Sequence, residues 1–337
     1  IVRVYRIAGG WPMECLWFFM HLKVCYVLSM RLFVFIVLFS GCVSGSDTPS
    51  PLPMPEYPLD DVLTFSDVQA KGTHNSYHIE PETVFDASHR YTHLPLNEQL
   101  ETQGVRQFEL DIHYHVEEGF QVFHLPGLDA ETTCLQFSEC MRVVKEWSDH
   151  TPHHMPLMIW LELKDDIDEL VPELDLLVGR YEALEDAVLE IWPKERIVTP
   201  DEVRGEDSTL SEAITTRGWP TLRALRGRVV FALLEGGIHR DNYLQSAPTL
   251  ENRLFFVGAN GPEDPYAAVF KINDASAASE RVAELVSQGF SVTCNTDAAD
   301  ASDADNALKL QNSLASGAHF LSSDRPGPVA EVDYWFE

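Results

Sequence analysis

VRQFELDIHYHVEEGFQVFHLPG, Val105–Gly127, carries the chain's strongest structural signal. Two apolar, β-rich runs flank a short polar turn, and the first carries Glu109 and Asp111 two positions apart. Residues so spaced on a strand project to one side. The two carboxylates therefore share a wall, with Phe108, Leu110 and Ile112 packed behind it. Such a pair repels unless a cation lies between its members or one of them takes a proton. Hard divalent cations want oxygen ligands of this kind. A lone E-x-D is usually a solvated strand face. Here His74-Asn75 lies upstream, His124 closes the second run, and another acid-bearing apolar run follows at 155–164.

On either side of it, candidate strands alternate with amphipathic stretches. The strands read as VQAKGTHNSY, VRQFELDIHYH, FQVFHL, MPLMIWLELK, RVVFALL, RLFFVGA, FSVTCN and HFLSSD. The helical stretches read as Cys134–Trp147, Leu170–Ile191, Ser279–Ser287 and Asp305–Ala315. Apolar strands separated by helices predict parallel strands joined by crossovers. Eight of them over about 280 residues suit an α/β fold, a single (β/α)8 TIM-type barrel spanning residues 60–337. Active sites of such barrels lie at the C-terminal ends of the strands. His74, Asn75, Glu109, Asp111, His124, Glu162 and Lys164 all fall at or near such ends.

The chain has 337 residues, 45% of them hydrophobic and 10% aromatic, enough for one large core. Its net charge of −29 argues against nucleic acid, whose affinity comes from Lys and Arg neutralising phosphates. That charge also repels anionic membranes, so a lipid-headgroup enzyme of this composition needs a local cation.

Residues 1–42 read as a leader rather than fold. The basic start Met30-Arg31 precedes the apolar run LFVFIVLFS and then Gly41-Cys42, a signal-peptide pattern. The run is short for a membrane span. Phe39–Cys42 resembles a bacterial lipobox with Cys42 as the lipidated residue, and Met20 or Met30 is the expected start. Residues 43–59, rich in Ser and Pro, read as an extended tether. The expectation is an exported protein, an envelope lipoprotein or a secreted one, and a monomer. Cys134 and Cys140 stand close enough in sequence to close a small disulfide loop, which leaves Cys294 unpaired. No C-x-x-C or His/Cys zinc spacing occurs.

Together the polar residues describe a phosphodiester site. His74 and His124 can serve as general base and general acid, one taking a proton from an attacking hydroxyl, the other protonating the leaving oxygen. A divalent cation held by Asn75, Glu109, Asp111 and Glu162 would neutralise the phosphate. Oxygen-only ligation favours Ca²⁺, with Mg²⁺ the alternative. Lys164 beside it can contact a non-bridging phosphate oxygen. His78, His89, His93, His113 and His115 read as surface or rim residues that nearby acids hold protonated.

KGTHNSYH, GVRQFELDIHYH, FHLPG and MPLMIWLELKDD resemble the bacterial calcium-dependent branch of the phosphatidylinositol-specific phospholipase C family. The likeness runs from Val68 to Asp166 and resumes at HFLSSDRP. It implies a TIM-type barrel, Ca²⁺, catalytic His74 and His124, and Asn75, Glu109, Asp111 and Glu162 as metal ligands. Asp324 matches the family's terminal acid and would orient a histidine. The implied reaction is attack of the inositol 2-hydroxyl on its own phosphate, giving diacylglycerol and a cyclic inositol phosphate at a membrane surface. One departure concerns the seventh strand. Relatives carry Arg in a Thr-Arg-x-Asp run, and this chain has Cys294-Asn295-Thr296-Asp297. Rival readings are a glycerophosphodiester phosphodiesterase or sphingomyelinase-D-like enzyme, which begins with His-Arg instead of His74-Asn75, and a non-catalytic surface lipoprotein.

Overall fold

The computed structural model describes residues 57–165, 171–234, 236–329 and 333–336. The leader, Cys42 and residues 43–56 of the tether lie outside them. Eleven strands occur among the described residues: β1 (Ala70–Thr73), β2 (Gln107–His115), β3 (Gly119–Val122), β4 (Leu157–Leu163), β5 (Leu174–Asp175), β6 (Ile197–Val198), β7 (Val229–Leu233), β8 (Phe256–Val257), β9 (Val269–Ile272), β10 (Ser291–Asn295) and β11 (Phe320–Ser323). Parallel pairing links β8, β7, β4, β2, β1, β11, β10 and β9 in that order. A single parallel bridge, Gly258 to Val269, with the Ala259 N–H donating to the Val269 carbonyl at 3.1 Å, joins the two ends of this ribbon. The sheet is thus curled on itself as a TIM-type barrel.

Length and burial explain the elements. β4 reads LMIWLEL and is buried at every position but Glu162, as a strand covered on both faces should be. The helix Phe137–His150 buries Phe137, Cys140, Met141, Val144 and Trp147 and turns Arg142, Glu146 and Asp149 outward, an apolar stripe of helical period. Side chains from opposite strands meet inside the sheet. Trp160 of β4 donates through Nε1 to Thr293 Oγ1 of β10 at 3.0 Å, and Lys271 of β9 pairs with Glu109 of β2. No helix among the described residues is long and apolar enough to cross a membrane.

Three strand and helix expectations are corrected. FQVFHL is no crossover strand: β3 pairs antiparallel with β2, because the three residues between them can turn a hairpin but cannot make a parallel connection. β9 takes its place in the barrel, a strand hidden in sequence by its brevity and by Lys271 amid apolar neighbours. The stretch read as one helix from Leu170 to Ile191 holds the helix Tyr181–Leu189, preceded by the two-residue β5, which pairs antiparallel with β2.

Candidate active site

β1 ends at Thr73, and the next residues are pinned onto β2. The Ser76 N–H donates to the Glu109 carbonyl, and the Glu109 N–H to Ser76 Oγ, both at 2.9 Å. Asn75, between them, adopts φ +39°, the left-handed region that Asn tolerates better than most residues. The turn faces His74 toward the mouth. Its Nδ1 donates to Asp324 Oδ1 at 2.9 Å, and its Nε2 stands 4.0 Å from Glu109 Oε1. Asp324 is itself fixed, accepting from the Ala299 N–H at 3.1 Å and donating its own N–H to Asp297 Oδ1 at 2.7 Å. Burial works to lower the His74 pKa, but Asp324 and then Glu109 outweigh it and raise it to about 9.

The acidic wall follows from register. Asp111 of β2 lies opposite Glu162 of β4, and Glu109 lies one alternation back on the same face. Lys164 pairs with Glu162 and lies 3.2 Å from Asp111 Oδ2. That approach lacks hydrogen-bond geometry, and both Asp111 carboxylate oxygens are buried without a hydrogen bond. Burial, then Glu162, raise Asp111 to about 7 against the pull of Lys164. Glu109 is buried too, yet Lys271 and His74 more than offset that and hold it below the usual carboxylate range. A buried carboxylate whose oxygens make no hydrogen bond, with Glu109 and Glu162 on the same wall, is an oxygen-only donor set that fits Ca²⁺, and Asn75 on the adjoining turn could add a further amide oxygen.

His124 stands just beyond β3, and its Nδ1 donates to Asp129 Oδ2 at 2.7 Å. A tight loop, closed by backbone bonds of 2.8 and 2.9 Å between Leu125 and Asp129, brings that carboxylate back. Asp129 also accepts from His78 Nε2 at 2.9 Å, and His89 Nδ1 approaches at 3.2 Å. Burial would raise Asp129, but the bonds from His124 and His78 win and hold it well below the carboxylate range. A ladder of rings joins the two histidines: His74 to Tyr91 at 6.4 Å, Tyr91 stacked on His78 at 4.2 Å, and His78 to His124 at 6.4 Å.

Seven of the sequence-predicted residues therefore gather at one end of the strands, with Asp324 behind His74. Asp129, His78 and Lys271 were not foreseen. A signal existed for two of them, an Asp five residues after His124 and a Lys alone in an apolar run. The rim assignment is corrected for His78, His93 and His113, which are buried. His93 Nε2 donates to the His74 carbonyl at 2.8 Å, and burial lowers its pKa to about 4, so neighbouring acids do not keep it charged. At the seventh barrel strand, Cys294 is a buried thiol pushed up to about 12 by burial, and Asn295 Oδ1 is buried without a partner. Cys134 and Cys140 form a disulfide, with Cα atoms 5.4 Å apart.

A family model described as phosphoinositide phospholipase C, Ca²⁺-dependent, matches residues 63–119 and 113–336. Among solved structures, the fold is similar to the calcium-dependent phosphoinositol-specific phospholipase C of a Gram-negative bacterium, Pseudomonas sp. The TM-score is 0.58 at 16% identity, over 80% of this chain and 92% of that one. It is also similar to the Ca²⁺-dependent phosphatidylinositol-specific phospholipase C of Streptomyces antibioticus, with a TM-score of 0.57 at 18% identity over 78% and 95% of the two chains. No curated protein matches the chain in sequence.

Proposed function

The chain belongs to the Ca²⁺-dependent phosphoinositide phospholipase C family, and from that premise we propose how its own residues divide the reaction. It is a phosphoric diester hydrolase acting on phosphatidylinositol, with Ca²⁺ as its cofactor. The observation that carries the division of labour is a matched pair. His74 and His124 each tie Nδ1 back to a buried carboxylate, Asp324 and Asp129, which leaves both Nε2 atoms outside that bond, and His74 Nε2 stands 4.0 Å from Glu109 Oε1.

In this reading His74 Nε2 takes the proton of the inositol 2-hydroxyl, whose oxygen bonds to phosphorus. The bond from phosphorus to the glycerol oxygen breaks, and His124 Nε2 protonates that oxygen, releasing diacylglycerol and leaving a cyclic inositol phosphate. Asp324 and Asp129 fix both rings and stabilise each imidazolium. Asn75, Glu109, Asp111 and Glu162 would hold Ca²⁺, which when bound supplies positive charge to the phosphate oxygens. Lys164 reaches the same phosphate once its carboxylate partners are otherwise engaged, and Lys271 offers a second cation at the mouth, where no Arg stands at the seventh strand. Positive charge at the donor set opposes the raised pKa of His74 and frees Nε2 to act as base.

The test is phosphatidylinositol hydrolysis with EGTA and then with added Ca²⁺, products resolved by phosphorus NMR. A cyclic inositol phosphate that forms only with Ca²⁺ is expected. Release of a free alcohol and a phosphomonoester instead would transfer the chain to the glycerophosphodiester reading. We also propose export and lipidation at Cys42, supported by the apolar run at 32–40. Cys42→Ala should then move the expressed protein from the detergent phase to the aqueous phase of a Triton X-114 partition.

A further inference from the structure

Sequence spacing offers no zinc motif, yet the fold gathers three transition-metal ligands outside the oxygen-only wall. His89 comes from the turn Ala87–His89, His124 from beyond β3, and Asp129 from the tight loop after it. One ligand atom from each lies within 4.8 Å of the other two. His124 Nδ1 and His89 Nδ1 stand 2.7 and 3.2 Å from the same Asp129 Oδ2, with ring centroids 4.9 Å apart. Ligands of a tetrahedral zinc stand roughly 3.3 Å from one another, given metal–ligand distances of about 2.0–2.1 Å, so the two approaches to Oδ2 need open by only about half an ångström or less, and the two histidine ligand atoms already lie within 4.8 Å of each other.

We propose that His89, His124 and Asp129 form a second metal site, taking a borderline transition-metal dication of the zinc class. Two imidazoles and one carboxylate are the donors such ions select, whereas Ca²⁺ prefers the all-oxygen wall. The outer shell is already built. His78 Nε2 lies 2.9 Å from Asp129 Oδ1 and 3.0 Å from Oδ2, so it can keep its bond to Oδ1 while Oδ2 takes the metal, and His78 Nδ1 is anchored on the Tyr91 carbonyl at 3.0 Å. Both ligand rings are partly exposed, 14% for His89 and 18% for His124, which leaves an entry path and an open fourth position. Occupation has a chemical consequence that rests on the proposed role of His124. A metal on Nδ1 replaces the hydrogen now given to Asp129, and the ring left behind is neutral, with an Nε2–H far too weakly acidic to protonate a leaving oxygen. Zinc at this site therefore shuts the enzyme off even when Ca²⁺ is saturating.

The experiment titrates the full, tag-free chain with Zn²⁺ in saturating Ca²⁺, against a chromogenic chelator, and repeats it with Co²⁺ to read the visible band of a four-coordinate site. One tight site is expected. His89→Gln should weaken it on the order of 10-fold or more and abolish the cobalt band. His89→Cys, which restores a ligand, should recover both, so a merely misfolded variant is recognised. Unchanged affinity in His89→Gln would place zinc on other histidines and overturn the site. Hydrolysis measured in parallel should be inhibited by Zn²⁺ in the wild type at concentrations that spare His89→Gln. Full occupation without inhibition would overturn the shut-off and the acid role of His124, while the metal site itself would stand.

Discussion

At His74 a single hydrogen bond sets orientation and charge together. Burial alone would lower the ring's pKa, and Asp324 raises it to about 9. Asp324→Asn should bring the midpoint back by more than a unit toward 6.5, read from the ring carbon-bound protons by NMR; an unmoved midpoint would refute the assignment. A raised folded-state pKa stabilises fully below the unfolded value and ceases to do so as pH rises through the folded one. The stability gap between wild type and Asp324→Asn should therefore be widest below pH 6.5 and narrow up to about pH 9. His74→Ala and His124→Ala should each lower turnover by about 10²- to 10⁴-fold with circular dichroism unchanged. Near-native rates in either would end the two-histidine scheme. Glu109 and Asp111 were legible because strand alternation places them on one wall, and Glu162 because it ends the next apolar run, which the β2–β4 register sets opposite Asp111. Asp129 and His78 were not, because their partners come from a hairpin, an irregular loop and a turn, where no period operates.

Among the elements, the pairing of β2 with β9 across the barrel has a measurable cost of loss. Lys271 and Glu109 are both nearly fully buried, and a buried charge stripped of its partner costs about 3–5 kcal/mol. Lys271→Met should lower the melting temperature in EGTA, and Ca²⁺ should restore most of the loss if Glu109 is a ligand. A melting point indifferent to Ca²⁺ would remove Glu109 from the ligand set. Gly227, entering β7, has φ +72°, and a Cβ there would meet the Pro152 carbonyl oxygen at 2.3 Å. Gly227→Ala should destabilise by about 1–3 kcal/mol, a shift of several degrees in a thermal melt. The barrel strands around the site were readable as apolar runs ending in polar residues. β3 misled, since an apolar run says strand without saying which way it goes, and only the shortness of the turn before it decides.

For the whole molecule, 53 acidic against 24 basic side chains make an anionic lipid surface a repelling one. Screening shortens from about 10 Å at 0.1 M salt to about 3 Å at 1 M. Binding to phosphatidylinositol vesicles in excess Ca²⁺ should therefore tighten as salt rises, the reverse of a basic peripheral protein, and sedimentation with vesicles reads it directly. Weakening with salt would mean that local lysines, not the global field, govern docking. Length and alternation made the barrel legible in the sequence. Alternation put Lys164 on the face of Glu162, but it could not show that Lys271 lies folded into the acidic wall. Two ammonium groups carry the same charge as one calcium ion. On the proposed ligand set, loading the site would thus exchange like for like: the metal-free protein is an internal salt with its cations spent on itself, and the loaded protein would have the same charge there plus two lysines newly at liberty to hold an anion.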